Sequence, residues 1–309
     1  MLYYILYELF FSFKRFQLKT NSCKLKNFFC KYSNFFDMYL NIISKKWFSI
    51  FGTTRIGITK KKRDKKIIAT LTTFPARINT VWITIETIMR QSIKPDEIIL
   101  WLAKDQFDGM DSLPDNLTKL CSRGLTIKFC DDLKSYKKFY YTFKHYPNDL
   151  VITFDDDMFY PKNTISTLLK LSRQYPNDTI SITAQSVPED LSELPSEWCF
   201  LSEQAISSNR AQAYTGSGTL FHPNMYDKLL FEKYIFQDIA PLADDLWMYA
   251  IGLVSNIKVT TPPKYHAFPI TIWNTNEHSL FSQNGANGGN MNDVQWANII
   301  DQFKDKLTK

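Results

Sequence analysis

Histidine and cysteine are scarce in this chain of 309 residues, and neither is arranged for metal or redox chemistry. Cys23, Cys30, Cys121, Cys130 and Cys199 form no C-x-x-C pair and are odd in number. That argues against a disulfide framework and a structural zinc site, and for a reducing, cytoplasmic setting. His222, His266 and His278 show no H-x-x-x-H spacing, so each is read as a structural histidine. No apolar run approaches the roughly 20 residues that cross a bilayer. The best candidate, Met1 to Phe13, is thirteen residues long and contains Glu8. It also makes a poor signal peptide, because no basic residue precedes it and no small-residue cleavage site follows. No internal repeat is present.

Charge and aromatic residues are abundant and unevenly placed. The net charge of +6 hides a split: residues 1–66 carry 15 Lys and Arg against Glu8, Asp37 and Asp64, while the remainder is net acidic. Aromatic residues recur through the basic segment at Phe28-Phe29, Tyr32, Phe35-Phe36, Tyr39 and Trp47-Phe48. The pattern predicts a basic, aromatic arm over 1–66, joined at Lys60–Lys66 to a domain over 67–309. Lysines interleaved with aromatics favour an anionic membrane interface. The alternative is a helical extension packed on the domain or on a partner. Nucleic acid is not expected, because the acidic body opposes a phosphate backbone.

The domain alternates strand and helix. Ile67–Thr73, Glu97–Leu102, Thr126–Cys130 and Leu150–Phe154 read as buried strands. Helices are expected over 80–91, capped by Asn79 or Thr80, and over 135–146. Beyond them come a helix from Pro161 to Gln174, a strand Thr179–Thr183, a polar loop-rich insertion over 186–212, and a strand Thr219–Phe221. A helix Leu246–Leu253, a strand Ile257–Thr260 and a final helix near Asp293–Phe303 complete the chain. The Asn- and Gly-rich stretch 284–290, flanked by Trp273 and Trp296, reads as a loop that closes over a ligand or as a tail connection. The alternation predicts an α/β fold with a mostly parallel sheet flanked by helices.

Three carboxylates, Asp155-Asp156-Asp157, follow the fourth strand directly. Strands that deliver acids to their C-terminal edge build ligand sites in open α/β sheets. Hard cations such as Mg²⁺ and Mn²⁺ are held by one or two carboxylates plus substrate phosphates. In an extended segment Asp155 and Asp157 share a face and Asp156 points away. A merely charged strand end is the plainer alternative. Arg77, Lys137 and Lys138 are candidates to neutralise phosphate.

Phe154-Asp155-Asp156-Asp157-Met158 and its strand resemble the DxD motif of GT-A-fold glycosyltransferases. Thr70–Arg77 is similar to that fold's first strand and loop, and about 66–300 resembles bacterial family-2-like members. The resemblance implies a nucleotide-sugar donor held by Thr72, Phe74, Arg77, Lys137, Lys138, Asp155 and Asp156. It also implies Mn²⁺ or Mg²⁺ on Asp155 and Asp157, and a sugar-binding segment at Gly216-Ser217-Gly218. Asp244 or Asp245 would then be the base toward an acceptor hydroxyl, with inversion. Glycine for a tight turn, and an acid pair complementing a helix dipole, are the corresponding structural alternatives. The expected enzyme moves sugar to a saccharide or glycolipid at the inner face of the plasma membrane, in cell-surface polysaccharide or lipopolysaccharide synthesis. A sugar nucleotidylyltransferase fits less well, since Thr72–Arg77 lacks the glycine of a phosphate loop. A non-catalytic carbohydrate-binding protein recruited to membranes is the rival outside enzymes.

Overall fold

The computed structural model describes residues 2–20, 22–50, 56–201, 203–263, 266, 268–273 and 290–307. Strands β1 (Ile67–Thr72), β2 (Glu97–Ala103), β3 (Leu125–Cys130) and β4 (Leu150–Phe154) fall on the four expected segments to within one residue at either end. With β6 (Thr179–Ser181), β10 (Ser217–Phe221) and β11 (Val259–Thr260) they form a seven-stranded sheet of order β11-β6-β10-β4-β1-β2-β3. Its pairings are parallel except the two made by β10, which runs antiparallel to β4 and to β6. The fold is α/β, with a mostly parallel sheet flanked by helices.

Side chains alternate across the sheet, and both faces are covered. Ile67, Ala69, Leu71, Ile98, Leu100, Ile152 and Phe154 pack in one core with α3 (Val81–Met89), α4 (Asp115–Thr118) and α6 (Thr164–Gln174). Ile68, Ile99, Trp101, Val151 and Phe221 pack in the other. That second core is filled by α5 (Lys137–His145), α7 (Lys233–Ile239), α8 (Asp244–Val254) and α9 (Met291–Leu307). Full burial of one such aliphatic side chain is worth about 1.5–3 kcal/mol, so continuous apolar runs suit these strands. From β1 the chain steps outward to β2 and β3, then returns to the opposite side of β1 as β4. The crevice between the C-terminal ends of β1 and β4 is therefore a topological switch point, where open sheets bind ligands.

The arm is packed on the domain. Helices α1 (Leu2–Lys19) and α2 (Cys23–Ile50) form a hairpin whose Tyr7, Phe10, Phe11, Leu40 and Phe48 are buried in the same core as β1. Arg90 of the α3 end lies 4.8 Å from the Phe48 ring centroid. The Tyr7 hydroxyl donates to the carbonyl of Phe268. Asn41 of α2 accepts from the Trp273 amide at 2.7 Å, and its side chain donates to the Thr271 carbonyl at 3.4 Å. Thr271 ends β12 (Ile270–Thr271), which pairs with β5 (Met158–Phe159) just beyond the acid triplet. Among the described residues no helix is long and apolar enough to cross a membrane.

The insertion over 186–212 departs from expectation. Short strands β7 (Ala184–Ser186), β8 (Cys199–Phe200) and β9 (Ala211–Ala213) form a small antiparallel sheet in and beside it. Strands of two or three residues carrying Gln185, Ser186 and Gln212 present no apolar run to detect. His278 and residues 284–289 lie outside the described residues.

Candidate active site

Strand β4 ends at Phe154, so Asp155, Asp156 and Asp157 sit in a turn where strand alternation no longer applies. The expected geometry, with Asp155 and Asp157 together and Asp156 opposed, is not what forms. Asp156 and Asp157 share one cation instead: Arg77 Nη1 lies 2.6 Å from Asp156 Oδ1, and Nη2 lies 3.0 Å from Asp157 Oδ2. Thr73 Oγ1 donates to Asp156 Oδ2 at 2.5 Å, and Thr84 Oγ1 donates to the Asp156 carbonyl at 2.9 Å. Arg77 belongs to the short helical turn Pro75–Arg77 that follows β1, so the two strand ends flanking the crevice are tied by charge.

Asp155 faces the other way. Its Oδ1 is 3.0 Å from Lys138 Nζ, and the same ammonium is 3.1 Å from Asp244 Oδ2. The Lys138 side chain is only 5% exposed, against 41% for Asp155. Thr70 Oγ1 of β1 donates to the Lys138 carbonyl at 2.7 Å, which seats α5 on the sheet and aims the lysine. The acid pair opens α8, where negative charge complements the helix dipole. Thr215 clasps both acids. Its hydroxyl donates to Asp244 Oδ2 at 3.1 Å and to Asp245 Oδ1, and its amide donates to Asp245 Oδ1 at 2.8 Å.

Gly216 completes the contact. Its carbonyl accepts from the Asp155 amide at 3.0 Å, where β10 begins beside the end of β4. A Cβ on Gly216 would stand 1.8 Å from the Asp155 carboxyl carbon, so any other residue here displaces the Asp155 carboxylate from its present place. Gly218 has φ +96° at the register shift where β10 bulges against β4. Ser217 donates to the Tyr214 carbonyl at 2.9 Å.

Among the described residues five carboxylates thus gather around two cations, Arg77 and Lys138. Burial, and then the neighbouring Asp156 charge, push Asp157 up to about 7. Burial, and then Asp244, push Asp245 up to about 7 despite Lys138 and Thr215. All the donors are oxygens, which suits a hard divalent cation rather than zinc. Among the described residues no three carboxylate, histidine or cysteine side chains form a cation site of their own. One or two carboxylates completed by substrate oxygens and water is the usual environment of Mg²⁺. The donor chemistry and the surplus negative charge fit such an ion.

The remaining candidates divide. Phe74 lies against Arg77, 5.4 Å from its ring centroid to the guanidinium carbon. Thr72 Oγ1 donates to the Trp101 carbonyl at 2.8 Å, a sheet contact. Lys137 turns away from Lys138, because neighbouring helix positions diverge by about 100°. Its ammonium pairs with Asp132 at 2.5 Å. Burial alone would raise Asp132, but hydrogen bonds from Lys134 and Lys137 hold it at about 2. His222 and His266 meet the hydroxyls of Ser172 and Thr167 on α6. Thr73, Thr84 and Thr215 had no sequence signal, since the acids they serve lie 83, 72 and 29–30 positions away.

No family model and no curated protein matches this sequence. Among solved structures, the mannosyltransferase PcManGT from Pyrobaculum calidifontis, in complex with GDP-Man and Mn²⁺, aligns at a TM-score of 0.43 and 14% identity over 75% of this chain and 64% of that one. S. aureus TarS 1-349 aligns at 0.44 and 11% identity over 77% and 72%. TarS 1-349 with UDP-GlcNAc aligns at 0.41 and 12% over 66% and 57%. This chain therefore spans less than two thirds of the PcManGT chain and of the UDP-GlcNAc complex. Likeness this loose carries no inference about chemistry, which must come from the site.

Proposed function

We propose that the protein is a nucleotide-sugar-dependent glycosyltransferase of GT-A type, acting at the cytoplasmic face of a membrane on a saccharide or glycolipid hydroxyl. The observation that carries this reading is the ammonium of Lys138. It lies 3.0 Å from Asp155 and 3.1 Å from Asp244, joining two acid groups far apart in sequence in one crevice at the switch point. A diphosphate donor and an acceptor hydroxyl need those two kinds of acid side by side.

Asp155, the exposed carboxylate of the triplet, would hold Mn²⁺ or Mg²⁺ on the donor diphosphate, with Asp157 joining it only on release from Arg77. The ion would supply Lewis-acid stabilisation of the leaving group. Arg77 holds Asp156 and Asp157 in place through ion pairs at 2.6 and 3.0 Å, and Phe74 offers a face beside it for the nucleotide. Lys138 fixes the spacing between Asp155 and Asp244. Asp245 is better suited than Asp244 to be the base. Asp244 is buried with its Oδ2 held by both Lys138 and Thr215. Asp245 is half-buried, is held by Thr215 alone among the described residues, and is pushed by burial up to about 7, in the range that general-base catalysis favours. In the transfer, the acceptor oxygen bonds to the anomeric carbon as the carbon–oxygen bond to the diphosphate breaks. The hydroxyl proton passes to Asp245, and the nucleoside diphosphate departs with the bonding electrons. Attack opposite the leaving group inverts the anomeric centre.

Calorimetric titration with UDP and GDP, each with and without Mn²⁺, tests the reading. Binding of at least one nucleotide that strengthens with Mn²⁺ is expected. No heat for either, in the presence or absence of Mn²⁺, rejects the transferase assignment.

A further inference from the structure

The two faces of α2 differ in kind. Its inner face carries Leu40 and Phe48 into the core, while its outer face presents Leu25, Phe28, Tyr32, Phe35, Tyr39 and Ile42 at alternating intervals of three and four residues. At about 100° per residue these six lie on one stripe about 26 Å long. Each is between 40% and 58% exposed. Phe28 with Tyr32, and Phe35 with Tyr39, pair along the helix with ring centroids 4.6 Å apart. A continuous apolar stripe of this size on a surface marks an interaction site rather than scattered exposure.

Charge identifies the occupant. Exposed Lys24, Lys31, Lys45 and Lys46 lie along or beside the stripe by the same angular count. The one acid of α2, Asp37, is turned to the domain side, where its carboxylate accepts from Trp273 Nε1 at 3.3 Å. A second copy of the hairpin would bring lysines against lysines, with no acid of α2 on either stripe to meet them. Aromatic rings flanked by lysines on one face of a helix that does not span instead match the interface of an anionic bilayer.

We infer that the outer face of α2 docks on a bilayer carrying anionic phospholipids, with the helix lying in the plane of the interface. This rests on the membrane-side part of the proposed function. It names the surface that makes the contact and is independent of the donor chemistry. The inner face of the same helix grips β12, so the docked surface and the crevice belong to one packed unit.

Co-sedimentation of the full chain with phosphatidylcholine vesicles, with and without phosphatidylglycerol, tests the inference. Binding to the anionic vesicles that weakens with salt is expected. The variant Phe28→Ser/Phe35→Ser should bind at least tenfold more weakly. Replacing Lys24, Lys31, Lys45 and Lys46 by Gln, which disturbs no buried group, should weaken binding by about 100-fold or more. No binding by the parent chain, equal binding to both vesicle types, or undiminished binding by the lysine variant overturns the inference. So does a dimer in lipid-free solution that Phe28→Ser/Phe35→Ser dissociates, which would make a second copy the occupant. Nucleotide titration of the same samples keeps the questions apart, since lost docking with retained UDP or GDP binding rejects the docking surface alone.

Discussion

The acid crevice and the N-terminal hairpin invert the usual partition of a globular protein in opposite directions. In the crevice, carboxylates are taken inside: Asp156, Asp157 and Asp244 are each 5–6% exposed. On the hairpin, phenylalanines, tyrosines and isoleucines are left outside. Buried charge is costly unless paired, and an exposed apolar stripe goes unrewarded unless covered. Neither arrangement serves the stability of the isolated chain. The crevice is held by two cations and several hydroxyls, so its expense is partly offset internally. The stripe is covered only in part, by ring contacts such as Phe13 of α1 on Tyr32, and much of its apolar area is left facing solvent.

Mutations can pull this contrast apart. The largest effect is expected in the crevice on chemistry: Asp245→Asn should lower the rate of sugar transfer by about 10²–10⁴-fold. Calorimetry on the same variant should show nucleotide affinity unchanged, and a loss of both together would assign Asp245 to binding instead. On stability, Arg77→Leu strands two buried carboxylates and should cost about 3–5 kcal/mol in chemical denaturation. Phe28→Ser on the stripe should move the same measurement by no more than about 0.5 kcal/mol. If the two variants prove equally destabilising, the hairpin is structural and the contrast collapses. Smaller again is Gly216→Ala, which forces Asp155 or the β10 entry to move. About 1–3 kcal/mol of stability is expected to go, and Mn²⁺-dependent nucleotide binding should weaken with it. Unchanged metal-dependent binding would show that Asp155 does not need its present position.

Much of the frame was legible because buried parallel strands advertise themselves. Ile67–Thr72, Glu97–Ala103 and Leu150–Phe154 are runs too short for a buried helix and too apolar for a surface loop. The arm's aromatic and basic character was equally plain, but its buried half was not, since Tyr7 and Phe11 look no different in sequence from Phe16 and Phe28. Strand direction left no trace: nothing in Ser217–Phe221 announces that it runs against its neighbours, yet that reversal is what sets Gly216 beside Asp155. The acid triplet is plain as composition but not as geometry. The pleat that pairs alternate residues ends with the strand, one residue before the acids begin. Lys138 stood in plain view next to Lys137. Which of the two would reach the acids depended on how α5 is rotated against β1, and that is fixed by a threonine 68 positions away.

The hydrogen bond from Tyr7 to Phe268 joins residues 261 positions apart. During synthesis, at about 5–20 residues per second, the hairpin therefore leaves the ribosome roughly ten to fifty seconds before that partner exists. Through that interval both of its apolar faces, the one destined for the core and the one left outside, are open to whatever surface the nascent chain meets first.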